Sequence, residues 1–307
     1  MLRYFTIFIF LFSKGISQND TVPFIMVLGV AQDAGYPQIG CNKACCEKAW
    51  KNDSLKQEIT CLALVSPQDK KWWLIEATPD ISKQLRRFSE LTQGAYSFLP
   101  DGIFITHAHI GHYTGLMQLG REAMNTSKVP VYVLPKMKKF LETNGPWNQL
   151  VSLKNIELKD LNTKSSEKLN NSISVETFTV PHRDEYSETA GFIFRLKSKK
   201  YLFIPDIDRW TQFNGDIVKK VNEMDYAFLD ATFYSEHELP GRNIKEIPHP
   251  LVKESMQYFG GNFEINQKKK IIFIHFNHTN PLLTDEKLIR ELEGNGYQVA
   301  KTGMKVY

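Results

Sequence analysis

The chain has 307 residues, enough for two ordinary domains or for one large layered domain. Its composition, 42% hydrophobic and 23% charged, is typical of a globular protein and excludes a disordered, collagenous or coiled-coil chain. The chain has 38 basic and 34 acidic residues, and the resulting net charge of +4 is too small to indicate a nucleic acid partner.

The first residues have the pattern of a secretory signal peptide. A short tip with Arg3 precedes the apolar run of residues 4–12 (YFTIFIFLF), and small and polar residues follow as far as Ser17. The run is shorter than the about 20 apolar residues that span a bilayer. We therefore expect a signal peptide over residues 1–17, export to the periplasm, and no stable membrane association after cleavage. A buried first strand is the alternative for this segment.

Apolar runs rich in β-branched and aromatic residues predict strands along the rest of the chain. In chain order these strands lie at residues 24–29, 61–65, 72–75, 102–106, 129–134, 172–180, 191–196, 201–204, 226–229 and 271–274. Helices are predicted at residues 79–91, 115–124, 136–143, 216–222, 250–258 and 284–293, the last with Thr284 as its N-cap. No repeat or linker divides the chain, so we predict one α/β domain over residues 22–307, with packed sheets covered by helices.

Three histidines lie within six residues, directly after the predicted strand 102–106. They are His107, His109 and His112. Neutral imidazole is the most common metal ligand, and one tight loop with this spacing can serve two adjacent cations. We therefore predict a site for one or two divalent metal ions, with zinc favoured and with iron or manganese also compatible. Chance clustering is the alternative.

Two other apolar strands also end in a metal-binding type of residue. Asp206 follows the strand 201–204, and His275 follows the strand 271–274. In layered α/β proteins, sites are built at such strand ends because the sheet holds the side chains rigidly.

The segment Thr106-His107-Ala108-His109-Ile110-Gly111-His112 resembles the H-x-H-x-D-H motif of the metallo-β-lactamase superfamily. This chain has Gly111 where the motif has Asp. The resemblance implies a four-layer αβ/βα sandwich with a metal centre between its two sheets. It also implies the ligands: His107, His109 and His182 for the first metal, His112 and His275 for the second, and Asp206 as the carboxylate shared by both. Asp208 is the alternative for that carboxylate, although its position two residues further from the strand holds it less rigidly.

Within that superfamily, the chain is similar to the pyrroloquinoline quinone biosynthesis protein B branch. The similarity extends from about residue 27 to the C-terminus, and residues 35–38, 77–85 and 275–281 carry much of it. The branch usually lacks the first two motif histidines, which this chain keeps, and it has Asn where this chain has His278.

Gly111 predicts a weaker second metal position, because it removes a hard anionic ligand. Besides Asp206, the candidate catalytic residues are His249 and His278. His249 lies between two prolines and could act as a general acid, with a plain surface role as the alternative. His278 could contact substrate or compensate for Gly111 as a ligand. Asp230 could orient a ligand histidine through its second ring nitrogen, or cap a helix.

Three of the four cysteines, Cys41, Cys45 and Cys46, lie close together in the sequence. They could bind a structural zinc ion, or Cys41 could form a disulfide with one of the other two. Both interpretations remain open from the sequence.

The sequence favours a metal-dependent hydrolase that uses a metal-bound hydroxide to cleave an ester, phosphodiester or amide-like bond in a small-molecule substrate. The narrower resemblance implies a different enzyme, an iron-dependent oxidase or hydroxylase in quinone cofactor biosynthesis. A non-catalytic exported metal-binding module is the third interpretation, because an incomplete site can keep affinity without turnover. The sequence carries no signal for an oligomeric state.

Overall fold

The structure is a computed structural model that describes residues 21–213, 215–239, 241, 243 and 246–307. The signal peptide predicted over residues 1–17 lies outside this described part. Within it, no helix combines the length and the apolar character needed to cross a membrane.

Two seven-stranded sheets form the centre of the described fold. The strands of the first are β1 (Phe24–Gly29), β2 (Cys61–Ser66), β3 (Lys71–Ile75), β4 (Ile103–Phe104), β5 (Val129–Val133), β6 (Ile156–Asp160) and β14 (Lys305–Val306), in the order β14-β1-β2-β3-β4-β5-β6. The strands of the second are β7 (Ser166–Lys168), β8 (Ile173–Val180), β9 (Thr189–Leu196), β10 (Lys199–Ile204), β11 (Tyr226–Asp230), β12 (Ile271–Ile274) and β13 (Gln298–Val299), in the order β13-β12-β11-β10-β9-β8-β7.

Helices pack around the two sheets. They are α1 (Ala44–Lys51), α2 (Ile81–Leu91), α3 (Ile110–Tyr113), α4 (Pro135–Thr143), α5 (Trp147–Ser152), α6 (Ile217–Asn222), α7 (Val252–Gly260), α8 (Ile265–Lys268) and α9 (Glu286–Gly294). The predicted four-layer α/β sandwich is confirmed.

The side chains of β1 show why the predicted strands are continuous apolar runs. Val27 belongs to the core between the two sheets, where it joins residues such as Phe203 of β10. Met26 points to the other face and packs in a second cluster with Phe88 of α2. Because both faces of the strand are buried, nearly every position must be apolar.

Two helix predictions differ from the structure. The segment predicted as a helix over residues 115–124 contains only the short 3₁₀ helix Thr114–Leu119, because the backbone N–H of Gly115 donates to Ala77 O and pins the chain against the loop after β3. The N-cap of α9 is Asp285 rather than Thr284. Its carboxylate accepts hydrogen bonds from two backbone N–H groups of the first turn, where negative charge is favourable.

The strand directions bring the candidate site residues to one edge of the sandwich. Strands β10, β11 and β12 are parallel, so the residues at or just after their carboxyl ends, Asp206, Asp230 and His275, lie side by side. In the facing sheet β3 and β4 are also parallel, and they end near Glu76 and His107. The two sheets therefore present their polar strand ends to a common space.

Candidate metal centre

The first group of ligand atoms comes from His107, His109, His182 and Asp206, whose donor atoms lie within 4.8 Å of one another. His109 Nδ1 is 2.8 Å from His107 Nε2 and 3.2 Å from His182 Nε2. Asp206 Oδ2 lies 3.5 Å from His107 Nε2 and 3.2 Å from His182 Nε2. Three imidazole nitrogens and one carboxylate oxygen thus converge on one point, as the sequence predicted.

The second group comes from His112, His275 and Asp33. Asp33 Oδ1 lies 3.1 Å from His112 Nε2 and 3.8 Å from His275 Nε2. Asp206 Oδ2 is 3.7 Å from His112 Nε2, so the same oxygen faces both groups. The predicted pairing of His112 with His275, and the shared position of Asp206, therefore agree with the geometry, whereas Asp33 was not predicted.

Each candidate ligand histidine has its outward ring nitrogen held by another side chain. The pairs are His107 Nδ1 with Thr106 Oγ1 (2.9 Å), His109 Nε2 with Glu185 (3.1 Å), His112 Nδ1 with Glu76 (3.1 Å), His182 Nδ1 with Asp208 (2.9 Å) and His275 Nδ1 with Thr232 Oγ1 (3.0 Å). A carboxylate can only accept, so it places the ring proton on the outward nitrogen. The inward nitrogen then keeps a lone pair for a metal, which is the usual arrangement around metal-binding histidines.

The two threonines in these pairs are fixed as acceptors by carboxylates behind them. Thr106 Oγ1 donates to Glu76 Oε1 at 2.5 Å, and Thr232 Oγ1 donates to Asp230 Oδ1 at 2.8 Å. With its own proton committed, each hydroxyl oxygen is left to accept from the adjacent histidine. Glu76 and Asp230 therefore set the tautomers of His107 and His275 without contacting them.

Backbone strain aims two of the buried residues into the site. His275 has a φ of 72° and Glu76 has a φ of 76°, in the left-handed region that side chains with a Cβ rarely occupy. Such conformations cost about 1–3 kcal/mol each and cluster at functional sites. Both residues directly follow a buried strand, so the turn redirects the chain at the point where the ligand atoms meet.

The residues present fit divalent metal ions. His112 Nε2, His275 Nε2, Asp33 Oδ1 and Asp206 Oδ1 are buried, and none has a well-aligned hydrogen-bond partner in the described part of the chain. Buried polar atoms normally have a partner, so the three such atoms that lie together in the second group, those of His112, His275 and Asp33, indicate a bound group. Imidazole nitrogen and carboxylate oxygen are a ligand set that suits zinc, iron and manganese.

The electrostatics favour the metal-binding protonation states of His107 and Asp206, whereas at His112 and His182 burial lowers the pKa but the carboxylates around each ring outweigh it and raise it. Burial lowers the pKa of His107 well below its usual value, and the adjacent His112 lowers it further. Burial alone would raise the pKa of Asp206, but His182 and His249 hold it well below its usual value. A neutral imidazole and a charged carboxylate are the forms that ligate metals.

His249 lies beside the centre and is buried, so the alternative of a plain surface residue is not supported. Its Nδ1 is 2.9 Å from Asp230 Oδ2 and 3.2 Å from Asp206 Oδ1. Burial lowers the pKa of His249, but the carboxylates of Asp230 and Asp206 outweigh it and raise the pKa to about 9. Asp230 thus orients His249 directly as well as His275 through Thr232.

A cavity of about 440 Å³ opens beside His249. Its walls combine the polar side chains of Gln32, Arg183 and Asn277 with the apolar side chain of Phe233. A volume of this size suits a small-molecule ligand.

The position of His278 differs from the prediction. His278 lies with Cys41, Cys45 and Cys46 in a separate group whose donor atoms are within 4.8 Å of one another. The turn after His275 directs Asn277 towards Gln32, and His278 reaches Cys41 and the first turn of α1 instead of the metal centre.

All the cysteines of this group are free thiols, with Cys41 Sγ and Cys45 Sγ 3.7 Å apart. Three thiols and one imidazole match the Cys₃His ligand set of structural zinc sites. The geometry therefore favours the zinc interpretation of the cysteines over the disulfide.

Asp33 is the residue of the metal centre that sequence reasoning missed. It follows the buried strand β1, as Asp206 and His275 follow theirs, and Gly111 leaves the histidine motif one carboxylate short. These two signals together could have directed attention to an acidic residue after another strand.

Comparisons with known proteins show the family and the fold of the chain. A family model described as a beta-lactamase superfamily domain matches residues 71–276. The coenzyme PQQ synthesis protein B of Methylorubrum extorquens strain AM1 is 23% identical over 308 residues, covering 91% of this chain and 98% of the relative. Zinc-bound PqqB from Methylobacterium extorquens (TM-score 0.75, 20% identity) covers 92% of this chain and 99% of its own. A diphosphatase from the PhnP family (TM-score 0.67, 21% identity) covers 92% of this chain and 96% of its own, so both share the fold.

Proposed function

The chain belongs to the beta-lactamase superfamily, and on this premise we propose that it is a metal-dependent hydrolase that cleaves an ester, phosphodiester or amide-like bond in a small molecule. The observation that carries the proposal is the pair of adjacent ligand groups that both face Asp206. Divalent metal ions held by these groups would act as Lewis acids and lower the pKa of bound water towards neutrality.

The protein side chains contribute binding and proton transfer. His249 is held by Asp230 on one side and lines the cavity on the other, so it is placed to give a proton to the leaving group of a substrate. A histidine whose pKa is about 9 carries that proton at neutral pH. Asp230 acts as a positioning residue, because its carboxylate also accepts from the backbone of Ile207 and from Thr232.

The cavity wall carries charges of both signs, Arg183 and Glu246, and Gln32 and Asn277 add amide groups. A lining of this kind suits a polar substrate and does not select among the three bond types.

The proposal is tested with metal-depleted protein and a panel of chromogenic esters, phosphodiesters and amides. We expect activity on at least one class, loss of that activity with a chelator, and recovery when zinc or manganese is added back. His109→Ala should abolish the activity, and His237→Ala is the matched control because His237 is exposed and belongs to none of the described ligand groups. Metal-loaded protein that is inert across the whole panel would contradict the proposal.

The similarity to coenzyme PQQ synthesis protein B over 91% of the chain supports a second candidate, an iron-dependent oxidase or hydroxylase in quinone cofactor biosynthesis. The same histidine and aspartate ligands suit iron. Elemental analysis of the purified protein separates the two candidates when combined with oxygen uptake on tyrosine-like compounds. Iron together with oxygen uptake favours the oxidase, and zinc without oxygen uptake favours the hydrolase. Absence of both activities favours the non-catalytic module.

We also propose that the protein is exported, on the basis of the basic tip and short apolar run of residues 1–17. N-terminal sequencing of the protein recovered from a periplasmic fraction should begin near Gln18. Recovery of full-length protein from the cytoplasm alone would contradict export.

A further inference from the structure

Asp33 occupies the space that a side chain at position 111 would need. A Cβ atom added to Gly111 would lie 2.3 Å from Asp33 Oδ1, 2.9 Å from Asp33 Cβ and 2.5 Å from Asp33 Cα. Distances this short exclude any side chain at position 111 while the backbone of Asp33 stays where it is. The position where the histidine motif normally carries Asp is therefore filled by an aspartate from another part of the chain.

The backbone around Asp33 is held in place from the second sheet. Gln32 N donates to Phe276 O at 2.8 Å, and Phe276 N donates to Val30 O at 2.8 Å. Asn277 Nδ2 adds a hydrogen bond to Gln32 Oε1 at 2.5 Å. The segment after β1 thus runs alongside the segment after β12, and this pairing delivers Asp33 next to His275.

Among the described residues, the histidine nitrogens that face Asp33 have no hydrogen-bond partner. Asp33 Oδ1 lies 3.1 Å from His112 Nε2 and 3.8 Å from His275 Nε2, and none of these atoms has a well-aligned hydrogen bond within the described residues. Both histidines are fully buried and have their outer nitrogens held by Glu76 and Thr232. A buried carboxylate oxygen between two inward imidazole nitrogens is an arrangement of ligand atoms that suits a cation.

We propose that Asp33 is the carboxylate ligand of the second metal position, together with His112 and His275, and that it replaces the aspartate of the histidine motif. This proposal adds to the proposed metal-dependent function. It requires that the site binds a metal ion, but it does not require that the protein is a hydrolase. It reverses the sequence-based prediction of a weaker second position, because the missing anionic ligand is supplied from the segment after β1. Gly111 is then required for the close approach of Asp33.

Metal binding to Asp33→Asn tests the proposal directly. Loss of a residue that only supports a metal ligand already weakens binding by about 10–100-fold, so loss of the ligand itself should cost at least as much. Calorimetric titration of metal-free protein with zinc should show one class of sites weakened by that factor, with the other classes unchanged. Asp53→Asn is the control, since Asp53 is a highly exposed carboxylate.

Elemental analysis after dialysis provides a second readout, in which we expect Asp33→Asn to retain one metal fewer per chain than the wild type. Metal held by the cysteine group contributes equally to both proteins and cancels in the difference. Wild-type affinity and stoichiometry in a folded Asp33→Asn variant would overturn the proposal.

The wild-type protein gives an independent test that does not depend on how a variant folds. Crystals soaked with zinc should show an anomalous peak about 2.0–2.2 Å from a carboxylate oxygen of Asp33. A peak at His112 and His275 with Asp33 turned away would overturn the proposal. If the metal is bound by Asp33 and no substrate is cleaved, the proposed hydrolase fails while the assignment of Asp33 stands.

Gly111→Ala provides a variant that removes no ligand atom. Its new methyl group would displace Asp33, so we expect the same class of zinc sites to weaken by at least about 10-fold. Unchanged zinc affinity in Gly111→Ala would show that Asp33 is not held against this position and would also count against the proposal.

Discussion

Replacing Glu76 with Gln should weaken both the fold and the second metal position. Glu76 is fully buried and accepts hydrogen bonds from Thr106 N (3.2 Å), Thr106 Oγ1 (2.5 Å) and His112 Nδ1 (3.1 Å). A glutamine retains one acceptor oxygen for the bonds at Oε1, but its amide nitrogen must then face the donor Thr106 N–H.

The expected magnitude follows from that one unpaired donor. A buried N–H without a partner costs about 1–3 kcal/mol. The remaining hydrogen bonds become weaker when the acceptor loses its charge, whereas removal of a buried charge acts in the opposite direction. We therefore expect the free energy of unfolding, measured by urea denaturation in the presence of chelator, to fall by about 1–3 kcal/mol.

The metal affinity should fall for a separate reason. Glu76 holds the proton of His112 on Nδ1 and makes Nε2 a stronger metal ligand. Loss of such a partner weakens metal binding by about 10–100-fold. Calorimetric titration with zinc measures this change, and Glu90→Gln is the control because Glu90 is an exposed partner of Arg86. Wild-type stability and zinc affinity in Glu76→Gln would refute the reasoning.

Three further predictions concern the centre and its surroundings. His249→Gln should lower kcat by about 10²–10⁴-fold without changing the metal content, because it removes the proposed proton donor; an equal loss of metal would instead indicate a role in binding. Cys46→Ala should lower the zinc content by one ion per chain, since it removes a thiol from the group with His278, and an unchanged zinc content would contradict a metal site there. Removal of metal by a chelator should lower the free energy of unfolding by about 2.7 kcal/mol for each ion that was present at 100 times its Kd, and a thermal melt unaffected by chelator would argue against metal binding in the folded state.

Much of the fold could be predicted because the strands are buried on both faces. Strand β1 reads as an unbroken apolar run, and its side chains pack alternately between the sheets and against the helices. The helix predicted over residues 115–124 failed because local propensity is weaker than the contacts that pin Gly115 to the loop after β3. Strand β6 was missed since it lies at a sheet edge and is only partly buried, which leaves little apolar pattern.

The histidine loop and the polar ends of strands are local features, so the sequence by itself determined the positions of His107, His109 and His112 and indicated Asp206 and His275. The histidine loop, Asp206 and His275 each come just after an apolar run, and parallel strands end at one edge of a sheet.

Only the tertiary structure decided that Asp33 completes the second group of ligand atoms and that His278 belongs with the cysteines. Both outcomes depend on the pairing of the segment after β1 with the segment after β12, which joins Gln32 to Phe276 and Asn277. Contacts between segments so far apart in the chain are set by the packing of the two sheets. No spacing within either segment encodes them.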